Sequence, residues 1–254
     1  MNFFSKALRR LTRTAGYTLT RCQKANGFPV DFSAEEVALT ESVRGFTLTT
    51  PERIHALHHA VRYVHTNGIQ GDIVECGVWR GGSMMVAAKT LLSLGDTSRT
   101  LWLYDTFEGM TAPTEHDVSL KGAKATEKFE KRKTGDNTSD WCLASLEEVS
   151  QNVKSTGYPG ERMKFVKGKV EETIPATVPG KIALLRLDTD WYESTLHELN
   201  HLFPLLAPGG VLLIDDYAEW HGARKAVDEF ISTNKVPLLL NRVDSTARMA
   251  VKVG

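Results

Sequence analysis

From Gly71 onward, short and almost continuously apolar segments alternate with stretches that have helical spacing. The apolar segments are DIVEC (72–76), TLWLYD (100–105), MKFVKG (163–168), KIALLRLD (181–188) and GVLLIDD (210–216). The helical stretches cover residues 83–94, 145–153, 194–203 and 224–231. Apolar strands that alternate with helices indicate a parallel sheet covered on both faces. The sequence therefore predicts an α/β fold, to which PLLL (237–240) and RMAVKV (248–253) add an antiparallel hairpin.

Charge and cysteine content argue against several classes of protein. The 31 basic residues balance 31 acidic ones, whereas nucleic-acid-binding domains are usually basic. Cys22, Cys76 and Cys142 lie far apart, which predicts neither a disulfide framework nor a zinc site. No run of the sequence reaches the ~18 apolar residues of a membrane span. We therefore expect a cytoplasmic protein with no nucleic-acid partner.

A basic arm and two helices precede the first strand. Residues 1–24 hold six basic residues and no acidic one, which predicts a solvated or oligomer-contact arm. A helix lying on an anionic membrane surface is the alternative. Ser33 with Glu36 forms a capping box for one helix, and Thr50-Pro51-Glu52 begins the next. We expect residues 1–68 to form this extension, 69–254 to form the main domain, and the arm or the second helix to make a homo-oligomer.

Residues 108–140 interrupt the alternation of strands and helices. They are polar, charged and rich in Gly, Thr and Lys, and no core pattern is visible in them. A loop of this length is either a lid or binding loop, or a disordered segment. The sequence predicts a lid, with disorder as the alternative.

The turn after the first strand, VECGVWRGGS (74–83), resembles a nucleotide-binding loop but begins with a carboxylate. Glu75 would repel a pyrophosphate and attract an ammonium group, while the helix N-terminus near Ser83 suits an anion. An amino acid carries both charges on one carbon. Asp105, at the end of the next strand, is placed to accept from two ribose hydroxyls, and an amino acid joined to a nucleoside is S-adenosylmethionine. In a dinucleotide-binding domain, the acidic residue that binds the ribose is expected roughly 20 residues after the loop.

Three aspartates end two later strands. Asp188 closes one strand, and Asp215 and Asp216 close the next. Carboxylates at neighbouring strand ends repel one another unless a cation lies among them. Oxygen ligands favour Mg²⁺, with Mn²⁺ or Ca²⁺ as alternatives. Capping of the following helix by Asp215-Asp216 is the competing interpretation.

Four ordered segments carry a family resemblance. VECGVWRGGS, LYDTFEGM, LRLDTDWYEST and PGGVLLIDDYAEWHGARKAVDEF resemble the macrocin O-methyltransferases over roughly residues 45–235. These class I S-adenosylmethionine-dependent enzymes methylate sugar hydroxyls of macrolide and aminocoumarin antibiotics, using Mg²⁺. The resemblance implies a Rossmann-like class I methyltransferase fold. The family often has glycine and histidine after DDY, where this chain has Ala218 and Glu219, so its acceptor contacts differ.

The resemblance also assigns roles to particular residues. It implies that the methionine part contacts Glu75, Gly77 and Ser83, with Thr47 approaching from the preceding segment. It places the ribose hydroxyls on Asp105 and the adenine near Ser145 and Gly168. The implied metal ligands are Asp188, Asp215 and Asp216, and the implied general base is Asp190.

These features together predict Mg²⁺-assisted O-methylation of a vicinal diol, on a sugar of a glycoside, natural product or polysaccharide. A more distant similarity to catechol O-methyltransferases leaves a phenol acceptor as an alternative. The lysine that usually serves there as base is absent, because Trp191, Tyr192 and Glu193 follow Asp190. The sequence also leaves open a nicotinamide dehydrogenase, which shares the broad fold, and a non-enzymatic module that binds S-adenosylmethionine.

Overall fold

The computed structural model describes residues 27–136 and 138–254, so the predicted basic arm of residues 1–24 lies outside the described residues. Contacts divide the chain into two compact units at Val37. In the first unit the predicted capping box is confirmed: Ser33 N donates to Glu36 Oε2 at 2.7 Å, and Glu36 N donates to Ser33 Oγ at 3.3 Å. The predicted division into 1–68 and 69–254 stays a prediction.

Helices and strands alternate along the second unit much as the sequence predicts. The helices are α1 (Ala34–Val43, which begins in the first unit), α2 (Pro51–Thr66), α3 (Gly82–Ser93), α4 (Ala125–Arg132), α5 (Leu146–Lys154), α6 (Val170–Thr173), α7 (Tyr192–Leu202) and α8 (His221–Asn234). The strands are β1 (Asp72–Cys76), β2 (Leu101–Asp105), β3 (Lys133–Gly135), β4 (Thr138–Ser139), β5 (Met163–Lys167), β6 (Ile182–Leu187), β7 (Leu206–Ile214), β8 (Asn241–Arg242) and β9 (Arg248–Val251).

Seven strands form one mixed sheet in the order β5-β2-β1-β6-β7-β9-β8. The five from β5 to β7 are parallel, and β9 runs antiparallel to both β7 and β8. Strand order reverses between β1 and β6, and a ligand crevice forms at such a switch point, beyond the carboxyl ends of the strands. The predicted α/β fold with a mostly parallel sheet is confirmed.

Both faces of the sheet are covered, which explains why its strands are apolar throughout. On one face, Ile73 and Leu103 pack with side chains of α2, α3 and α5, such as Leu57, Leu91 and Val149. On the other face, strand residues pack with side chains of α7 and α8, and this cluster includes Val74, Leu185, Leu199 and Phe230. Within the described residues, no helix is both long enough and apolar enough to cross a membrane.

Two local predictions differ from the structure. The hairpin strand is Asn241–Arg242 and not PLLL, because Leu238 and Leu240 pack their side chains on the core instead of pairing through their backbone. Residues 108–140, within their described part, contain α4 and the β3–β4 hairpin. Phe129, on α4, is 2% exposed and anchors this segment.

Candidate active site

Sheet register brings the predicted acids to one edge. Glu75 pairs with Arg186 on the neighbouring strand, and Asp188 N donates to Cys76 O at 2.8 Å. Asp215 N in turn donates to Leu187 O at 3.0 Å. The carboxyl ends of β1, β6 and β7 therefore lie side by side, which is the condition that the sequence argument assumed for its carboxylate cluster.

The turn between β1 and α3 has little room for side chains. Gly77 has φ +82°, and a Cβ at this position would lie 2.0 Å from the carbonyl oxygen of Asp188. Asp105 fastens the same turn, because its Oδ2 accepts from the backbone N–H groups of Val78 at 2.7 Å and Trp79 at 3.1 Å. Its Oδ1 accepts from Phe107 N at 2.7 Å. The acid predicted to hold the ribose thus also shapes the turn: its Oδ2 already accepts two hydrogen bonds, while its Oδ1 accepts one from Phe107 N and a longer one, of 3.4 Å, from Thr106 Oγ1.

A cavity of about 370 Å³ lies above these strand ends. The predicted site residues that line it are Thr47, Gly77, Ser83, Asp105, Asp188, Asp190, Asp215 and Asp216. A smaller cavity of about 60 Å³ shares Gly77, Asp105 and Asp188 with the larger one and is also lined by Gly168. Glu75 lies below the larger cavity and is 1% exposed. Ser145 lines neither cavity; its hydroxyl caps α5 by accepting from Glu148 N at 3.2 Å.

Three carboxylates form a cluster with the geometry of a cation site. Oxygens of Asp188, Asp215 and Asp216 lie within 4.8 Å of one another. Burial and mutual repulsion raise the pKa of Asp188 and of Asp216 well above the ordinary value. Asp216 Oδ2 is buried and has no hydrogen-bond partner within the described part of the chain. An orphaned buried carboxylate oxygen is costly, and a cation would satisfy it.

Two arginines, which the sequence reasoning missed, already neutralise part of this cluster. Arg186 donates to Asp188 Oδ2 at 2.6 Å and to Asp215 Oδ1, while Arg53 of α2 donates to Asp215 Oδ2. Arg53 is itself held by Asp244, at 2.8 Å. Two guanidinium groups therefore already offset part of the negative charge that the sequence-based prediction assigned to a metal ion. One signal was visible: Arg186 interrupts the apolar run KIALLRLD.

Asp190 lies at a strained point of the backbone. It has φ +68°, and Trp191 N donates to Thr189 O at 2.8 Å across it, which is the pattern of a γ-turn with positive φ. Asp190 lines the larger cavity together with Asp216, and burial raises the pKa of Asp190 to about 7. Strain of this kind persists only where surrounding contacts enforce it.

The contacts that enforce the turn are also absent from the sequence prediction. Thr189 Oγ1 donates to the fully buried Glu198 at 3.2 Å. The Trp191 indole donates to Thr111 O at 3.1 Å and packs edge-on against Trp141 and Trp220, with ring centroids 5.5 Å and 5.2 Å away. Trp141 and Trp220 line the larger cavity. The larger cavity is therefore lined by aromatic rings as well as by carboxylates.

Comparison with known proteins decides the family. The family model for macrocin-O-methyltransferase (TylF) matches residues 5–251. The chain belongs to the macrocin-O-methyltransferase family. It is a methyltransferase with S-adenosylmethionine as its methyl donor, and this part of the predicted function is confirmed.

Two curated relatives of this methyltransferase carry specific names. One is the 8-demethyl-8-(2,3-dimethoxy-alpha-L-rhamnosyl)-tetracenomycin-C 4'-O-methyltransferase of Streptomyces olivaceus, 34% identical over 203 residues, or 79% of this chain and 73% of that protein. The other is the mycinamicin III 3''-O-methyltransferase of Micromonospora griseorubida, 31% identical over 184 residues, or 72% of this chain and 69% of that protein.

Solved structures confirm the predicted Rossmann-like class I methyltransferase fold of this enzyme. The O-methyltransferase NovP superposes with a TM-score of 0.73 at 27% identity, over 82% of this chain and 83% of that one. An O-methyltransferase from Bacillus cereus in complex with S-adenosylhomocysteine (SAH) superposes with a TM-score of 0.52 at 11% identity, covering 89% and 93% of the two chains, and this likeness concerns the fold alone.

Proposed function

We propose that this methyltransferase acts on one hydroxyl of a vicinal diol in a sugar, with Mg²⁺ held by Asp188, Asp215 and Asp216. The observation that carries the proposal is the coincidence of three features in one 370 Å³ cavity: the glycine turn, the aspartate cluster and the strained Asp190. The relatives' names support the sugar and not the diol, since one specifies a 4'-position and a rhamnosyl group that already carries methoxy groups at positions 2 and 3, and another specifies a 3''-position.

The cofactor would lie across the turn between β1 and α3. Glu75 has one oxygen, Oε2, without a hydrogen-bond partner in the residues that the structure describes, and this oxygen suits the ammonium group. Ser83, in the first turn of α3, would donate to the carboxylate, together with free N–H groups there. Asp105 would accept from the ribose through Oδ1, in place of the long contact from Thr106, and Gly168 lines the smaller cavity beside it, where the adenine would fit. The positively charged sulfonium supplies the methyl group to be transferred.

The aspartate cluster fits a hard divalent cation. Its donors are all carboxylate oxygens, and the orphaned Asp216 Oδ2 lacks the partner that a cation would provide. Asp215 would bind through second lone pairs, because both of its oxygens already accept from arginines. Mg²⁺ held there would act as a Lewis acid that lowers the pKa of an acceptor hydroxyl and fixes its position.

Asp190 would accept the proton of the reacting hydroxyl. A general base must lie within reach of the proton that it removes, and Asp190 lines the cavity together with the proposed metal ligands Asp188, Asp215 and Asp216. The γ-turn at Asp190 fixes the backbone from which this side chain enters the cavity. Trp141 and Trp220 would cover the apolar face of the sugar ring. Residues 108–140 would form a lid, and α4 would exclude water as part of it. A homo-oligomer and a cytoplasmic location stay predictions.

The first experiment separates cofactor binding from catalysis. SAH and NAD⁺ are titrated calorimetrically into the wild type and into Asp190→Asn, each with Mg²⁺ and with EDTA. Asparagine tolerates positive φ, so the turn is retained. We expect SAH alone to bind, and to bind both proteins equally. Binding of NAD⁺ instead of SAH would contradict the cofactor assignment.

Turnover is then measured with tritiated cofactor on a panel of glycosides, including mycinamicin III and demethyldecarbamoylnovobiocin, substrates named for two relatives. With an accepted glycoside, Asp190→Asn should lose about 10²-fold or more of kcat. Asp228→Asn, at an exposed acid on α8, is the matched control and should keep full activity. Removing the neighbouring hydroxyl from the acceptor should abolish the response to Mg²⁺. Full activity of Asp190→Asn would refute the role of Asp190 as general base. A Mg²⁺ response with the deoxy acceptor would refute the binding of a vicinal diol by the metal ion.

A further inference from the structure

Arg186 is a buried cation in the centre of the sheet. It lies on β6 between Glu75 of β1 and Leu213 of β7, and it is 4% exposed. It is not among the residues that line the 370 Å³ cavity. A buried guanidinium is tolerated only when carboxylates pair with it, and such a group is seldom placed in a strand without a specific reason.

The Arg186 guanidinium reaches two different sites, and one of its nitrogens contacts both. One nitrogen donates to Glu75 Oε1 and to Asp188 Oδ2, each at 2.6 Å. The other nitrogen donates to Asp215 Oδ1. Glu75 belongs to the amino-acid end of the cofactor site, and Asp188 and Asp215 belong to the metal site. Arg186 therefore connects both sites while it lies outside the space in which either ligand would bind.

We propose that Arg186 is a positioning residue shared by the cofactor and metal sites, and that through it a metal ion strengthens cofactor binding. This inference rests on the proposed function. It adds to that function an energetic link between two binding events, carried by a residue that contacts neither ligand.

The direction of the link follows from the shared nitrogen. Without a metal ion, the guanidinium charge is divided among Glu75, Asp188 and Asp215. With a metal ion bound at Asp188 and Asp215, the charge of the guanidinium acts mainly on Glu75. This keeps Glu75 ionised, with its Oε2 free for the ammonium group of the cofactor. Burial raises the pKa of Glu75 to about 7 and Arg186 opposes this, so the strength of the pairing matters near neutral pH. Direct repulsion between the metal ion and the cofactor is present with or without Arg186.

Arg186→Lys tests the inference, because a lysine ammonium cannot span both arms of the fork. Calorimetry gives the Kd of SAH in EDTA and in saturating Mn²⁺, and electron paramagnetic resonance gives the Kd of Mn²⁺ alone. We expect SAH binding in EDTA to weaken by about tenfold, as for the loss of a charge-assisted hydrogen bond. The ratio of the two SAH dissociation constants, EDTA over Mn²⁺, should fall by about fivefold relative to the wild type.

Arg53→Lys is the matched control. Arg53 contacts Asp215, Asp244 and Thr246 but does not reach Glu75. This variant should weaken Mn²⁺ binding and keep the wild-type ratio of SAH constants. A ratio that changes equally in both variants would show a general loss of charge around the cluster and would overturn the role of Arg186.

Each remaining outcome also decides between the two proposals. A wild type that binds neither SAH nor Mn²⁺ overturns the proposed function, and this inference with it. A wild type that binds both, with Arg186→Lys unchanged, overturns the inference alone. If a thermal melt shows that Arg186→Lys is unfolded, Glu75→Gln carries the test, since it should weaken SAH binding and lower the ratio of SAH constants. An unchanged ratio in Glu75→Gln would overturn the link.

Discussion

Replacement of Gly77 by alanine isolates the steric demand of the β1–α3 turn. Gly77 has φ +82°, and an added Cβ would lie 2.0 Å from Asp188 O and 2.6 Å from Asp188 C. These are backbone atoms, which cannot turn away as a flexible side chain can. Gly157 has the same φ of +82° with nothing within 4 Å of an added Cβ. Gly157→Ala is therefore a control with equal backbone strain and no collision.

The two variants should differ by the cost of the collision. Alanine in the left-handed region costs about 1–2 kcal/mol at either position. Forcing an extra carbon into a packed site costs about 1–3 kcal/mol more. We therefore expect Gly157→Ala to lower the free energy of unfolding by about 1–2 kcal/mol and Gly77→Ala by about 2–5 kcal/mol.

Urea unfolding followed by circular dichroism measures both free energies, and calorimetry with SAH measures the effect on the site. Relief of the collision would push Asp188 away from Arg186, so SAH binding should weaken in Gly77→Ala and stay unchanged in Gly157→Ala. Equal losses of stability in the two variants, together with equal SAH affinity, would refute the reasoning that the turn and the Asp188 backbone are in contact.

Two further predictions concern stability away from the site. Burial raises the pKa of Asp96, but hydrogen bonds from Ser98 outweigh it, with help from His65 and Arg99, and lower that pKa to about 2. A carboxyl group whose pKa falls on folding stabilises the fold at pH values above its unfolded pKa, which is near 3.9, and this stabilisation is lost as the pH falls towards 2. Asp96→Asn should therefore lower the free energy of unfolding by about 1–2 kcal/mol at pH 7, after allowance for solvent screening, and by about half of that at pH 3. A pH-independent difference in urea unfolding would contradict this pKa. Ser145→Ala should lower the free energy of unfolding by about 1 kcal/mol through loss of the α5 cap, whereas Ser145→Asp should retain the cap; equal losses in the two variants would show that the cap contributes nothing.

The sequence by itself determined the architecture and the position of the acids along the chain. Apolar runs such as DIVEC and KIALLRLD form strands because each is buried on both faces, and parallel strands place their carboxyl ends at one edge. Asp105 ends such a strand, and Asp188 and Asp215 directly follow two others, so their convergence could be predicted before any contact was known. The cap at Thr50 is equally local, since it depends on residues within one turn.

Tertiary structure alone decided which positive groups neutralise these acids and how their side chains are oriented. Arg186 meets Glu75 across 111 positions of sequence through strand register, and Arg53, on α2, meets Asp215 across 162 positions through packing of that helix. No local pattern encodes either contact. The γ-turn at Asp190 exists because distant groups hold it, among them the Trp191 cluster and Glu198. Phe129 likewise anchors a segment whose composition is that of a polar loop. Short-range propensity fixes helices and strands, but the charge balance of a buried site depends on which side chains packing brings together from far apart in the chain.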